Sequence, residues 1–174
     1  MTMLRTANLL AALAGQVDHL LIRRLRIHPN QTDSSAAALN IITFYEGCTN
    51  LRLSQALRLS HTAAVRLVDK LEQEGLVERR EGKDKRSVAL FLTEAGRERI
   101  RAILTDRCAA LEGILSPLTP EEQATLSALL EKLLTNQTKA PGDDDYICRL
   151  CDTTVCPAET CPVHQAGLAN TGAP

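Results

Sequence analysis

Four cysteines close to the C-terminus have the residue type and the spacing to bind a metal. Cys148, Cys151, Cys156 and Cys161 follow the pattern C-x2-C-x4-C-x4-C, which places four thiols within fourteen residues. A segment this short cannot bury an apolar core, so packing does not explain the thiols. Four thiolates suit a tetrahedral zinc ion, and they also suit an iron–sulfur cluster. A third interpretation is a set of redox-reactive thiols without a metal.

A second set of residues with recognisable chemistry lies on a helix predicted to begin after residue 60. Ser60 is expected to cap this helix, because its hydroxyl can accept an unpaired amide hydrogen of the first turn. Gly75 is expected to end it in the left-handed conformation. Apolar residues recur at helical spacing on one face, while small polar and basic residues occupy the other. The outward face consists of Thr62, Arg66, Asp69 and Gln73, and Ala63 and Lys70 flank it.

A hairpin with a basic tip is predicted directly after this helix. Its strands are expected at residues 77–80 and 87–92, the second with Val88, Leu90 and Leu92 on one face. A basic tip suits the narrow minor groove of DNA, whose negative potential attracts an inserted arginine. In an isolated hairpin the same charges would indicate only a solvated turn. The tip consists of Gly82, Lys83, Asp84, Lys85 and Arg86.

These elements combine into a recognisable DNA-binding motif. A short helix predicted at Leu53–Leu57 comes first, so the order is helix, turn, helix and two strands, which is a winged helix-turn-helix. The second helix of such a motif presents the side chains near its N-terminus to base edges in the major groove. The predicted contacts to base edges come from Thr62, Ala63 and Arg66, and those to phosphates from Ser60, His61 and Lys70.

Long amphipathic helices are predicted on both sides of this motif. One runs from Leu4 to Arg26, another begins at Asp33 or Ser34, and two more follow Thr93 and Thr119. The helices at the two ends expose more leucine than one small domain would bury, which a homodimer explains and a monomeric helical core does not. The predicted fold class is therefore mainly α, a winged helix-turn-helix with a two-stranded wing and N- and C-terminal dimerisation helices.

The segment of residues 59–96 resembles the core of the MarR family of dimeric winged-helix transcription regulators. The matching elements are the run LVDKLEQEGLVERR, the Asp84-Lys85-Arg86 motif and LTEAG after the second strand. A looser resemblance covers about the first 135 to 140 residues. The resemblance implies that Asp84 braces the wing through an ion pair, that Arg86 enters the minor groove, and that the first and last helices form the dimer interface. It also implies a small-molecule pocket between the dimer helices and the DNA-binding lobe.

The distribution of charge agrees with a basic surface on the winged helix. Residues 52–101 hold twelve Lys and Arg against eight Asp and Glu, while the rest of the chain holds eight against thirteen. Arg52 and Arg58, which flank the short helix, are expected either to touch phosphates or to be ordinary surface residues. The two Tyr and two Phe of the chain form no run for stacking unpaired bases, so single-stranded nucleic acid is disfavoured.

Three regions are predicted along the chain. Residues 1–139 are assigned to the winged-helix domain with its dimerisation helices, residues 140–147 to an acidic linker, and residues 148–174 to the cysteine-rich tail. No stretch of about 20 apolar residues occurs, so no membrane span is expected, and the protein is expected to be cytoplasmic. In that reducing compartment, structural disulfides are not expected in the tail.

The sequence thus predicts a homodimeric, sequence-specific transcriptional regulator, most simply a repressor, that binds double-stranded DNA. Relief of binding is expected from a small ligand or from a redox or metal signal at the tail, with zinc or an iron–sulfur cluster as the only expected cofactor. The alternative is a winged-helix protein-interaction module with a zinc-stabilised tail and no operator of its own. An enzyme is not expected, because no Gly-rich phosphate loop, HExxH metal site or GxSxG serine occurs.

Overall fold

The computed structural model describes residues 3–82 and 87–171 of the chain. Within these ranges, helices surround a winged helix-turn-helix with a two-stranded antiparallel sheet, which confirms the predicted mainly α fold class. The elements are α1 (Met3–Leu25), α2 (Asp33–Phe44), α3 (Asn50–Ala56), α4 (His61–Gln73), β1 (Val77–Glu81), β2 (Val88–Leu92), α5 (Glu94–Leu115), α6 (Pro120–Gln137), α7 (Asp143–Ile147) and α8 (Pro162–Thr171).

Serine and threonine side chains cap the helices at the positions where the sequence predicted that the helices begin. The hydroxyl of Ser60 accepts a backbone amide hydrogen at the start of α4, and Thr93 does the same for α5. Thr119 begins α6 with a reciprocal capping box, and α2 begins at Asp33 behind Thr32. Each cap satisfies an amide group that has no partner within its helix, which fixes the position at which the helix begins.

Helix α2 lies at the centre of the fold and is buried on all sides. Every residue from Ser35 to Ile42 is buried, whereas helical periodicity predicted a single apolar face. Helices α3, α4 and α5 and strand β2 pack against it. The side-chain amide of Asn40 donates hydrogen bonds to the carbonyl oxygens of Arg149 and Cys151, at 3.1 and 3.0 Å. The cysteine-rich tail therefore covers the remaining side of α2.

The wing is an antiparallel hairpin that leaves the core as it approaches its tip. The ladder starts at the Val77–Leu92 pair, and Cys48 adds an isolated bridge to Leu90. The predicted alternation is confirmed for Leu90 and Leu92, which are buried, but Val88 is 46% exposed. Val88 differs because it lies at the tip end of β2, beyond the helices that cover the other two side chains.

The acidic segment and the cysteine-rich tail fold against the winged-helix domain. The segment 140–147 was expected to be a polar linker, but it contains α7, in which Asp144 and Asp145 are buried. Helix α7 packs on α3, and helix α8, which follows the cysteines, packs on α6 and α7. The backbone of the cysteine segment is bound by Asn40 of α2. The segment is helical and docked because its carboxylates find cationic and hydroxyl partners on the domain, as described below.

Helix α5 lies very close to the backbone of the turn before β1 at Gly96. A β-carbon at this position would overlap the backbone carbonyl oxygen of Leu76, in the turn before β1. By contrast, a β-carbon at Gly113 in the same helix would meet no atom within 4 Å. The absence of a side chain at Gly96 thus lets α5 lie directly on the start of the wing.

We expect Gly96→Ala to lower the free energy of unfolding by about 1–3 kcal/mol, because a backbone carbonyl cannot yield to the added methyl group. Gly113→Ala is the matched control and is expected to be neutral or stabilising by up to about 1 kcal/mol, since alanine favours helix over glycine. Urea denaturation measures both changes. Equal effects of the two substitutions would contradict the close packing of α5 on Leu76.

Candidate DNA-binding surface

Helix α4 turns its N-terminal polar and basic residues towards solvent. His61, Thr62 and Arg66 are exposed, and Ala63 is half-buried beside them. The buried stripe of the same helix consists of Ala64, Val68 and Leu71. The geometry therefore separates a face that packs on the core from a face with hydrogen-bond donors, acceptors and one guanidinium group. That is the distribution a helix needs to enter a major groove.

Two of the residues predicted to contact phosphates also make contacts within the chain. The oxygen of Ser60 accepts the amide hydrogen of Ala63 at 3.2 Å, which leaves the hydroxyl hydrogen able to donate. Lys70 donates to the backbone oxygen of Asn30 at 3.1 Å and lies 3.8 Å from the carboxylate of Glu74. The ammonium group of Lys70 is thus held between α4 and the turn after α1.

An arginine on β1 joins the wing to α4. Arg79 donates to the carboxylate of Asp69 at 2.6 Å and to that of Glu72. Asp69 belongs to the predicted outward face of α4, but its carboxylate faces the wing in this pair. Ion pairs this exposed stabilise the fold little, yet they fix the angle between helix and hairpin. Sequence reasoning missed this contact, although the three-residue spacing of Asp69 and Glu72 on α4 was a usable signal.

The predicted wing-tip residues Lys83, Asp84, Lys85 and Arg86 lie outside the described residues. Next to them, the amide of Gly82 donates to the carbonyl oxygen of Ser87 at 2.9 Å. The hairpin is therefore paired up to the last described residue on each side. The roles assigned to the four tip residues stay predictions.

Arg52, which lies within α3, and Arg58, which follows it, are both bound by carboxylates of α7. Arg52 donates to Asp145 at 2.7 Å, and Arg58 donates to Asp143. Each guanidinium group also lies over a tyrosine ring, 4.3 Å from the centroid of Tyr45 for Arg52 and 4.4 Å from that of Tyr146 for Arg58. The acidic segment thus occupies the side chains that were considered for phosphate contacts.

A buried hydrogen bond completes this junction between α7 and the domain. The hydroxyl of Tyr45 donates to the second carboxylate oxygen of Asp145 at 2.7 Å. Burial and the hydrogen bond to Asp145 raise the pKa of Tyr45 to about 12. The folded chain therefore retains the phenol proton more strongly than the unfolded chain, in which tyrosine has a pKa of about 10.

We expect the stability of the protein to decrease between about pH 10 and pH 12, and part of this loss to come from Tyr45. A raised folded-state pKa contributes stability that is complete below the unfolded pKa and is lost as the pH rises through the folded one. Urea denaturation across this interval measures the effect. Tyr45→Phe cannot ionise, so it should lose less stability over the same interval; an identical pH dependence would contradict the prediction.

The four tail cysteines lie around one cleft of about 450 Å³, which His164 also lines. Cys148 shares thiol hydrogen bonds with Cys151 and Cys161, and Cys156 shares one with Cys161. The bond between the first two lowers the pKa of Cys151 to about 7 and raises that of Cys148. All four are unpaired. Across residues 3–82 and 87–171, no three His, Cys, Asp or Glu side chains are gathered tightly enough to enclose a metal ion.

A second cleft, of about 490 Å³, lies between α1, α2, α5 and the tail. Gln31 lines it, is 8% exposed, and has neither its amide nitrogen nor its oxygen in a hydrogen bond. His28, which contacts Asp106 at 2.9 Å, and Arg107 also line this cleft. A buried amide without partners is costly, so the cleft offers a polar anchor to a small molecule.

No described helix is both long enough and apolar enough to cross a membrane.

Comparison with known sequences identifies relatives among bacterial regulators. A profile of the MarR family matches residues 32–87. The chain is 34% identical over 96 residues to the uncharacterized HTH-type transcriptional regulator YwhA of Bacillus subtilis, which covers 55% of this chain and 69% of that protein. It is 40% identical over 92 residues to the transcriptional repressor MprA of Escherichia coli, which covers 52% of each. The chain thus spans about half the length of MprA.

Solved structures give the same result for the fold. Wild-type MarR of Escherichia coli in its apo form superposes with a TM-score of 0.64 at 28% identity, covering 74% of this chain and 95% of that one. A MarR family protein from Bacillus stearothermophilus superposes with a TM-score of 0.71 at 27% identity, covering 80% of this chain and 99% of that one. The predicted winged-helix architecture is confirmed by these superpositions.

Proposed function

The chain belongs to the MarR family of winged-helix transcription regulators, and from this premise we propose that it is a homodimeric, sequence-specific repressor. The observation that carries the proposal is the exposed N-terminal half of α4, where Thr62 and Arg66 face solvent next to a hairpin with a basic tip. A helix and a hairpin in this arrangement reach adjacent grooves of one duplex. Repression follows when the bound dimer occupies DNA that the transcription machinery needs.

Individual residues have separate roles in the proposed complex. Thr62, Ala63 and Arg66 contact base edges in the major groove, because they lie in the first turns of α4. Ser60, His61 and Lys70 contact phosphates and position the helix. At the tip, Arg86 enters the minor groove, Lys83 and Lys85 add positive charge that favours binding to DNA, and Asp84 braces the wing through an ion pair.

Apolar stripes on the terminal helices support the homodimer. On α6, Leu129 and Leu133 are 54% and 51% exposed, and on α1, Leu9 and Leu10 are 54% and 52% exposed. Stripes of this length on two helices are larger than a stable monomer leaves in water. A second copy of the chain covers them and sets the separation of the two recognition helices, since a twofold axis pairs the same helices from each copy.

The cleft that Gln31 lines is the proposed effector site. It lies between the helix assigned to the dimer and the core of the DNA-binding lobe, so a bound molecule there changes their relative position. Arg107 and Asp106 are among the charged residues at its wall, and the unpartnered amide of Gln31 favours a ligand with a hydrogen-bonding group. The ligand is expected to lower affinity for DNA.

Selection from a library of random DNA duplexes, followed by fluorescence anisotropy, tests the proposal with the full chain. We expect one palindromic sequence to be enriched and its affinity to decrease steeply between about 50 and about 200 mM salt, as phosphate contacts require. Failure to enrich any sequence, together with salt-independent binding, would contradict the proposal. That result would favour the alternative of a winged-helix module that binds another protein.

A further inference from the structure

The cysteine-rich tail is folded although it has almost no apolar core. In the segment 140–171, the described side chains that are both apolar and buried are Cys161 and Val163. The other buried residues there are Asp144, Asp145 and Gly167. A segment of this size needs a crosslink or a metal to hold a defined conformation. The contacts of Asp143 and Asp145 with arginines fix α7, and Asn40 holds the backbone at Arg149 and Cys151 on α2. The part of the loop that still needs support is 152–160, which is mostly exposed.

The four cysteines are the groups that can hold this loop. Their thiols form one connected set, in which Cys151 contacts Cys148, Cys148 contacts Cys161, and Cys161 contacts Cys156. The set joins both ends of the loop, because Cys148 directly follows α7 and Cys161 directly precedes α8. All four side chains line the same cleft, and binding of an ion there requires the sulfur atoms to move closer together around it.

Two further features of the surroundings suit a negatively charged metal–thiolate site. Arg107 and Arg149 act electrostatically on Cys151, so positive charge already lies beside the thiols. Asn40, which is 1% exposed, donates both of its amide hydrogens to the carbonyl oxygens of Arg149 and Cys151. This contact holds the first pair of cysteines on α2, in the manner of the outer partners that position metal ligands.

We propose that Cys148, Cys151, Cys156 and Cys161 bind one Zn²⁺ ion that holds the tail on the winged helix. Four sulfur ligands and tetrahedral geometry are the preferred surroundings of structural zinc. As the four zinc–sulfur bonds form, the four thiol protons pass to solvent, and no electron is transferred. The site is independent of DNA binding, but it supports α7 and thereby the pairing of Arg52 and Arg58 with their carboxylates.

Metal analysis and native mass spectrometry of full-length protein purified without oxygen test the site. We expect one zinc per chain, and X-ray absorption at the zinc edge should show four sulfur neighbours at about 2.3 Å. Cys151→Ser and Cys161→Ser should each lose the zinc, while Cys108→Ser on α5 is the matched control and should retain it. Iron with sulfide and absorbance at about 400–450 nm, no bound metal, or fewer than three sulfur neighbours would overturn the proposal.

Hydrogen exchange on the wild-type chain gives a measurement that does not depend on how the variants fold. Removing zinc with a chelator is expected to speed amide exchange in α7, α8 and the loop between them, and to leave α5 unchanged. Re-addition of Zn²⁺ should restore the slow exchange. Unchanged exchange in the tail after loss of zinc would overturn the structural role.

Discussion

The double substitution Leu129→Glu and Leu133→Lys on α6 is expected to yield a monomer and to reduce operator affinity by at least about 100-fold. Both side chains are about half exposed in the single chain, so neither supports the core of one copy. The introduced acid lies four residues before the introduced base. This spacing and order favour an ion pair along the helix, so the helix itself should be preserved. Loss of the partner removes the linked second binding event, and with it most of the affinity.

Sedimentation equilibrium and anisotropy titration check this result. Val155→Lys is the control, because Val155 is 77% exposed in the tail and lies on neither terminal helix. It should remain dimeric and bind normally. A dimeric double variant would show that the leucines of α6 do not form the interface.

Arg66→Ala is expected to cost about 1–3 kcal/mol of operator affinity and to relax the preference at one base pair. Arg66 is exposed on α4, and an arginine in a major groove can make a bidentate contact with a guanine. A titration against operators with single base changes measures the affinity and the preference together. Arg101→Ala, at an exposed arginine of α5, is the control and should leave both unchanged.

The same titrations separate base contacts from groove contacts. Arg86→Ala should weaken binding to all operators alike with little change in the stability of the fold, because its proposed contact is in the minor groove. Full affinity of the Arg86 variant would count against the wing assignment. An unchanged base preference in the Arg66 variant would count against α4 as the reading helix.

Local signals explain which parts of the fold could be predicted from the sequence. The caps at Ser60, Thr93 and Thr119 act through hydrogen bonds within three residues, so the sequence alone locates them. The left-handed turn at Gly75, with a φ of 69°, is fixed by the residue itself. The winged helix-turn-helix follows from such signals, because its elements are adjacent in the chain.

The contacts of the tail could not be predicted in this way, because they join residues far apart in sequence. Tyr45 and Asp145 are 100 residues apart, and Asn40 and Cys151 are 111 residues apart. An acidic run such as the one at 143–145 is typical of a solvated linker. Sequence periodicity does not reveal that two arginines elsewhere in the chain pair with it. The burial of α2 on all sides was not predicted either. Asn40 interrupts the apolar run of this helix, and the partners that bury Asn40 lie far away in the sequence.

The pairing of α7 with α3 changes the electrostatic character of the protein. Arg52 and Arg58 are each paired with a carboxylate, and Arg79 is shared between two more, so these three guanidinium groups are less available to phosphates. A surface with fewer available cations releases fewer counterions when it binds DNA non-specifically. We therefore expect the proposed regulator to bind non-specific DNA more weakly, so that its affinity depends more on contacts with the correct base pairs.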